Sequence, residues 1–208
     1  MKFAIFALVL GLCLAATMAD LDYSAENDDQ LVEFTPLGNA EEIADLFIFS
    51  VFGRLKPTIK VGLRTLKGVN CTIKRVLSIR QAGLDFLQAF KDCNSAAFKD
   101  LNNVINQVQT VVNTCNDIIH INENVCNNGD YNDEDDAKKK TPAACFSKLV
   151  SKMVTLKKQI AKTITLSKKL SSTPGAYGAC NVDAVDDLLS VFTEFPTFVK
   201  ECSKLTSK

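Results

Sequence analysis

The stretch Phe98-Lys-Asp-Leu101-Asn-Asn-Val104-Ile105-Asn-Gln-Val108-Gln-Thr-Val111-Val112-Asn-Thr-Cys115-Asn-Asp-Ile118-Ile119 decides the fold. Its apolar residues recur at spacings of three and four, with polar residues filling every gap. At 100° per residue this places one continuous apolar stripe along about six helical turns. A half-buried strand would alternate with period two, and nothing of that kind occurs here. The stripe needs partners, and the flanking sequence supplies them.

Upstream, a helical pattern runs from about Thr58 to Phe90 on Ile59, Leu63, Leu66, Ile73, Leu77, Leu84 and Leu87, with Gly68 as a candidate break or bend. Before it, Asn39 and Glu42 have capping-box spacing for a Phe-rich helix ending near Gly53 and Pro57. Downstream, Ala143 to Leu170 carries Leu149, Met153, Leu156, Ile160 and Ile164 on one face. Lys148, Lys152, Lys158, Lys162 and Lys169 occupy the opposite face. A last helix from about Val182 to Leu205 carries Val185, Leu188, Leu189, Phe192, Phe195, Val199 and Cys202, with Pro196 expected to kink it. The expectation is an all-α, disulfide-stapled bundle of about five helices, built from two long helical hairpins. The first hairpin should turn near Cys93 and Asn94.

The chain begins with Lys2, an apolar run from Phe3 to Ala15, and the small-residue context Thr17-Met18-Ala19. That run is too short to span a ~30 Å hydrocarbon core, so 1–19 is expected to be a signal peptide whose removal takes Cys13 with it. Residues 20–38 are expected to be an acidic flexible segment and 39–208 a single helical domain, with an acidic and then basic loop at 127–142. No later run is long and apolar enough to cross a membrane. The formal net charge is zero, yet the charges are sorted. Nine acids and no base lie between Asp20 and Asp45, nine bases against Asp85 alone from Arg54 to Lys91, and ten lysines with no acid from Lys138 to Lys169. Neutral bulk charge gives no sign of a nucleic-acid partner. The acidic stretch could shield Arg54, Lys56, Lys60 and Arg64; the simpler alternative is a solubilising tail that contacts nothing.

Seven cysteines then remain: Cys71, Cys93, Cys115, Cys126, Cys145, Cys180 and Cys202. In an exported chain they are disulfide candidates. Cys71 and Cys115 each lie 22 residues from Cys93, so symmetry about the turn favours pairing them. Cys93 with Cys180 is a second candidate pair. Cys126, Cys145 and Cys202 are left at the other end, with one of them unpaired.

Catalytic patterns are missing. His120 is the only histidine, and no GxSxG, HExxH, P-loop or GxGxxG sequence occurs, so no enzymatic activity and no cofactor are expected. The loop beginning at Asp130 starts like a calcium loop, but Asp135 stands where glycine is needed and Thr141 where glutamate is needed. A solvated surface loop is the better expectation. Asn70-Cys71-Thr72 is a glycosylation sequon, although a helical backbone and a bridged Cys71 would hinder transfer. Ten asparagines between Asn94 and Asn128 stand out, because asparagine is a mediocre helix former.

The secretory start, the long helices, and the tail with Gly178-Ala-Cys180, Phe195-Pro196 and Cys202-Ser-Lys-Leu205 resemble small exported fly proteins of a domain of unknown function. That domain is also found at the N-terminus of the tsetse EP protein. The resemblance covers roughly residues 56 to 206 and leaves the acidic segment unmatched. It implies an insect extracellular setting, no defined activity, and no functional residues to carry over. The expected function is a secreted, extracellular binding or structural protein. An anionic surface or a protein is the candidate partner, met by exposed helix faces such as the lysine face of 143–170. Acids at Asp183, Asp186, Asp187, Glu194 and Glu201 are its expected neighbours. The alternative is a carrier of a small apolar ligand inside the bundle, which would need an apolar void of several hundred Å³.

Overall fold

The computed structural model describes residues 50–92, 99–171 and 179–206, the side chains of 99, 171 and 179–181 excepted. Within these, residues 50–53 are helical, followed by α1 (Leu55–Gly62), α2 (Leu66–Asp92), α3 (Lys99–Asn124) and α4 (Asp133–Asp136). Then come α5 (Ala143–Ser171), α6 (Ala179–Thr193) and α7 (Phe195–Lys204). The protein is an all-α bundle stapled by disulfides. α3 packs against both α2 and α5, α6 and α7 also pack on α2, and α1 rests on α7.

The apolar stripes explain this layout. Val104, Val108, Val111, Cys115 and Ile118 of α3 are fully buried, as are Leu149, Leu156, Ile160 and Ile164 of α5. Phe192 and Phe195 close the core from the α6–α7 side, and Phe52 stacks on Phe195 at 5.9 Å. Gly83 lets α2 approach α3, since a Cβ there would meet Val112 Cγ2 at 2.7 Å.

The expected second helix is two helices. The break falls at residues 63–65, not at Gly68. Gly68 instead serves close packing. A Cβ there would collide with the Gly62 carbonyl, so glycine is what allows α1 to fold tightly against the start of α2. Leu77, placed on the buried stripe four residues after Ile73, is 45% exposed. Val69, Ile73, Val76, Ile79 and Phe86 form the buried face instead.

Pro196 does more than kink the last helix. α6 ends at Thr193 and a new helix starts at Phe195, with Pro196 in the first turn, where its missing N–H has no intrahelical partner to lose. The expected start of the first helix at Asn39 and the cap at Asn94 lie outside the described residues.

The first hairpin is antiparallel, as expected, but its register differs. Arg80 Nε donates to Asn116 Oδ1 and Gly83 faces Val112, so facing residues are symmetric about a point five residues beyond Cys93. Cys115 therefore lies level with Gln81, ten residues and about 15 Å along α2 from Cys71. The expected Cys71–Cys115 bridge is ruled out. Cys71 is bonded to Cys202, with Cα atoms 5.6 Å apart, and Cys115 is a buried free thiol. Cys126 is bonded to Cys145. Among the described residues the free cysteine is thus Cys115, and no member of the Cys126, Cys145, Cys202 group is left unpaired. The proposed Cys93–Cys180 pair lies outside the described residues and side chains.

Candidate functional site: a basic face and the grooves between helices

α1 has no acidic residue, and Lys56, Lys60 and Arg64 succeed one another at intervals of four, all exposed. The lysine tract after α4 is drawn onto the end of this row. Leu66 N donates to Lys139 O at 3.0 Å and Thr141 N to Arg64 O at 2.9 Å, around an isolated bridge between Thr65 and Lys140. A single pair of backbone hydrogen bonds thus sets Lys140 opposite Thr65, the residue after Arg64.

α5 adds a third contribution. It also lacks acids, and its Lys157 is only 9% exposed. Burial, then the nearby charges of Lys158 and Lys56, push the Lys157 ammonium below the usual lysine range. That coupling ties α1 and α5 together on one side of the bundle. Lys139 is neutralised locally: its ammonium lies 2.7 Å from Asp136 Oδ1, and this bond, with that from the Asn132 N–H, holds the Asp136 carboxyl below its usual range. Lys67 meets Asp133 at 3.8 Å. Among the described residues Lys56, Lys60, Arg64, Lys138, Lys140 and Lys158 have no carboxylate within ion-pair distance.

Two ion pairs involving these charged helices are described, and neither joins α5 to α6 or α7. Lys152 pairs with Asp117 of α3 at 2.7 Å, and Glu201 pairs with Arg75 of α2. Asp183 and Asp187 border an open groove of about 730 Å³ between α2 and α6, shared with Asp85. A second groove, of about 560 Å³, runs between α2 and α3 over Leu84, Leu87, Phe90, Leu101 and Ile105.

His120 is exposed on α3, with its Nδ1 3.1 Å from the Asn124 amide nitrogen. The fold brings Ser151 into the same shallow groove, a proximity the sequence did not reveal. Asp117 there is committed to Lys152, and no hydrogen bond joins Ser151 to His120 among those described. The acidic loop closes on itself as a single capped turn. Asn132 Oδ1 accepts from Glu134 N, Asp136 Oδ2 accepts from Asn132 N, and Tyr131 donates to Asp133. Among the described residues no group of three metal-ligating side chains converges.

Several asparagines now have a physical role. Asn127 adopts φ 48° just past α3, the left-handed cap conformation that asparagine tolerates. Asn122 and Asn128 form a buried pair, with Nδ2 of Asn128 donating to Oδ1 of Asn122 at 3.0 Å. Asn116 accepts from Arg80 and Asn113 from Gln109. For the exposed Asn102, Asn103 and Asn106 we have no structural account.

Asn70 is half-buried at the edge of a third groove of about 390 Å³, beside Lys67, Lys74 and Arg75. Thr72 faces the core and its Oγ1 donates to Gly68 O at 2.9 Å. No family model, no curated protein and no solved structure matches the chain.

Proposed function

We propose that this is a secreted, non-enzymatic extracellular protein that binds an anionic polymer, such as an acidic polysaccharide, through the basic face of α1, the 138–140 tract and α5. The observation that carries this reading is that α1, whose cations have no carboxylate partner among the described residues, meets a second basic stretch at the Thr65–Lys140 bridge and a third where Lys56 nears Lys157. A charged helix face is ordinarily just solvated. Here, however, the fold tolerates mutual repulsion among Lys56, Lys157 and Lys158. A lipid surface is the less favoured anion, because interfacial binding needs apolar side chains beside the cations. The exposed large apolar residues among those described are Leu77, Val182 and Leu205, none of them in α1, the 138–140 tract or α5. Secretion is supported by the leader-like first 19 residues and by two intramolecular disulfides. The resemblance to exported fly proteins points the same way.

The test is heparin chromatography of the full mature chain. Replacing Lys56, Lys60 and Lys140 with glutamine should lower the eluting salt concentration clearly more than replacing Lys74, Lys91 and Lys200, exposed lysines of α2 and α7. Equal shifts would reduce the effect to bulk charge. Retention on vesicles containing anionic lipid, with none on heparin, would overturn the polysaccharide assignment.

The carrier reading has one observation behind it, the apolar α2–α3 groove. That groove is open, whereas the bundle interior is filled by side chains such as Phe86, Leu101, Met153 and Ile160. Mass spectrometry of organic extracts from natively purified protein would test it directly.

A further inference from the structure

Asn70-Cys71-Thr72 is the only Asn-X-Ser/Thr sequon in the chain, and it sits in the second turn of α2. Once folded, it cannot be read as a unit. Residues i and i+2 of a helix point about 200° apart. Asn70 therefore faces the open groove while Thr72 faces the core with its hydroxyl engaged. Between them Cys71 is locked to Cys202, 131 residues further on and the last cysteine of the chain. That distance sets an order of events. Until Cys202 has entered the export compartment, Cys71 cannot reach its partner and α7 cannot pack on α2. At about 5 to 20 residues per second, synthesis of the intervening chain takes about 7 to 26 s.

We propose that Asn70 carries an N-linked glycan, attached during export before the Cys71–Cys202 bridge closes. The inference rests on the secretion reading but not on the anionic-partner reading. The transfer joins the Asn70 side-chain nitrogen to the anomeric carbon of a lipid-pyrophosphate-linked oligosaccharide. The carbon–oxygen bond to phosphate breaks, the lipid pyrophosphate leaves, and the amide gives up one proton. The later bridge removes two protons and two electrons from the Cys71 and Cys202 thiols, taken up by a disulfide-exchange oxidant of the compartment. The finished fold accommodates the product, because the Asn70 side chain borders an open groove and is not enclosed in the core. The sugar then stands beside Lys67, Lys74 and Arg75, next to the Cys71–Cys202 bridge.

The test is expression of the full chain in a eukaryotic secretory cell, alongside the same chain carrying a proven foreign leader in place of residues 1–19. Secreted protein should lose one glycan's mass on treatment with an amide-cleaving glycosidase, leaving aspartate at position 70. Asn70→Gln and Thr72→Ala should abolish the modification, and Thr72→Ser should retain it. Cys202→Ser, which cannot close the bridge, should leave occupancy unchanged. Occupancy rising several-fold in Cys202→Ser would show that the bridge closes first and would overturn the proposed order. Secreted chains with no glycan on either leader would overturn the site itself. If the natural leader fails while the foreign-led chain is exported and modified, the secretion reading falls and the site stands.

Discussion

The α2–α3–α5 side of the molecule and the clasp of α7 on α1 and the first turns of α2 are held together by contacts of opposite range. α2, α3 and α5 pack as neighbours in sequence, turn by turn, and their bridge Cys126–Cys145 spans 19 residues. The clasp joins the two ends of the described chain. Cys71 is bonded to Cys202 across 131 residues, Thr206 Oγ1 donates to Val61 O, and Phe52 stacks on Phe195. Local packing can form early at little loop-closure cost, while the clasp must wait for the whole chain. Periodicity in a sequence reports the first kind of contact well and the second hardly at all.

The largest expected effect tests that contrast directly. By loop-closure entropy, removing the clasp bridge in C71S/C202S should cost about 5 kcal/mol, and removing the loop bridge in C126S/C145S about 3 kcal/mol. Denaturant unfolding of both double variants measures the difference. The reverse order would mean that the unfolded chain already holds its ends together.

Next come the two glycines, one on each side of the comparison. Gly68→Ala forces a backbone carbonyl to move and should cost about 3 kcal/mol. Gly83→Ala meets a valine methyl at 2.7 Å, and the helix propensity gained, about 1 kcal/mol, offsets much of that clash. Equal losses would show that the α1–α2 turn is no tighter than the hairpin seam.

A smaller effect sharpens the description of the α2–α3 seam through Cys115. Burial, partly opposed by Arg80, pushes its thiol from 9.0 up to about 12. Between those values the unfolded chain releases the proton and the folded chain keeps it. Stability is therefore fully present below pH 9 and falls as pH rises towards 12, by up to about 1.4 kcal/mol per pH unit. Cys115→Ala should flatten that decline. Parallel stability–pH curves for the two proteins would place Cys115 in contact with water.

Lys157 gives the smallest expected change. Its folded pKa is lowered, so the charged form disfavours folding at neutral pH and the penalty fades as pH rises through the folded value. Lys157→Met keeps the aliphatic stem and removes the repulsion with Lys158 and Lys56, so it should raise stability by about 0.5 kcal/mol. A fall in melting temperature would mean that the ammonium has a stabilising partner.

How much of this was legible follows the same division. The helix faces of α3, α5 and α6 were readable because each stripe is long and uninterrupted. Leu77 was misplaced because α2 carries two overlapping series from Ile73, one through Leu77 and Leu84 and one through Val76, Ile79 and Phe86, and spacing alone does not tell which of them faces the core. Cys115 was misassigned because the register of α2 against α3 is displaced by ten residues from one symmetric about Cys93. The basic face was visible only as runs of charge. That Lys140 would stand opposite Thr65 depends on two backbone hydrogen bonds, which no side-chain pattern encodes.

The two bridges also change what a cut at the exposed residues 132–135 of the 127–142 loop can do. Cys126 and Cys71 lie before that loop, and Cys145 and Cys202 lie after it. A protease that nicks the loop would produce two fragments that remain doubly tethered, with α3 still seated against α5. The nicked molecule should migrate as one species until a reductant is added, so in an oxidising fluid backbone cleavage here leaves the molecule in one piece.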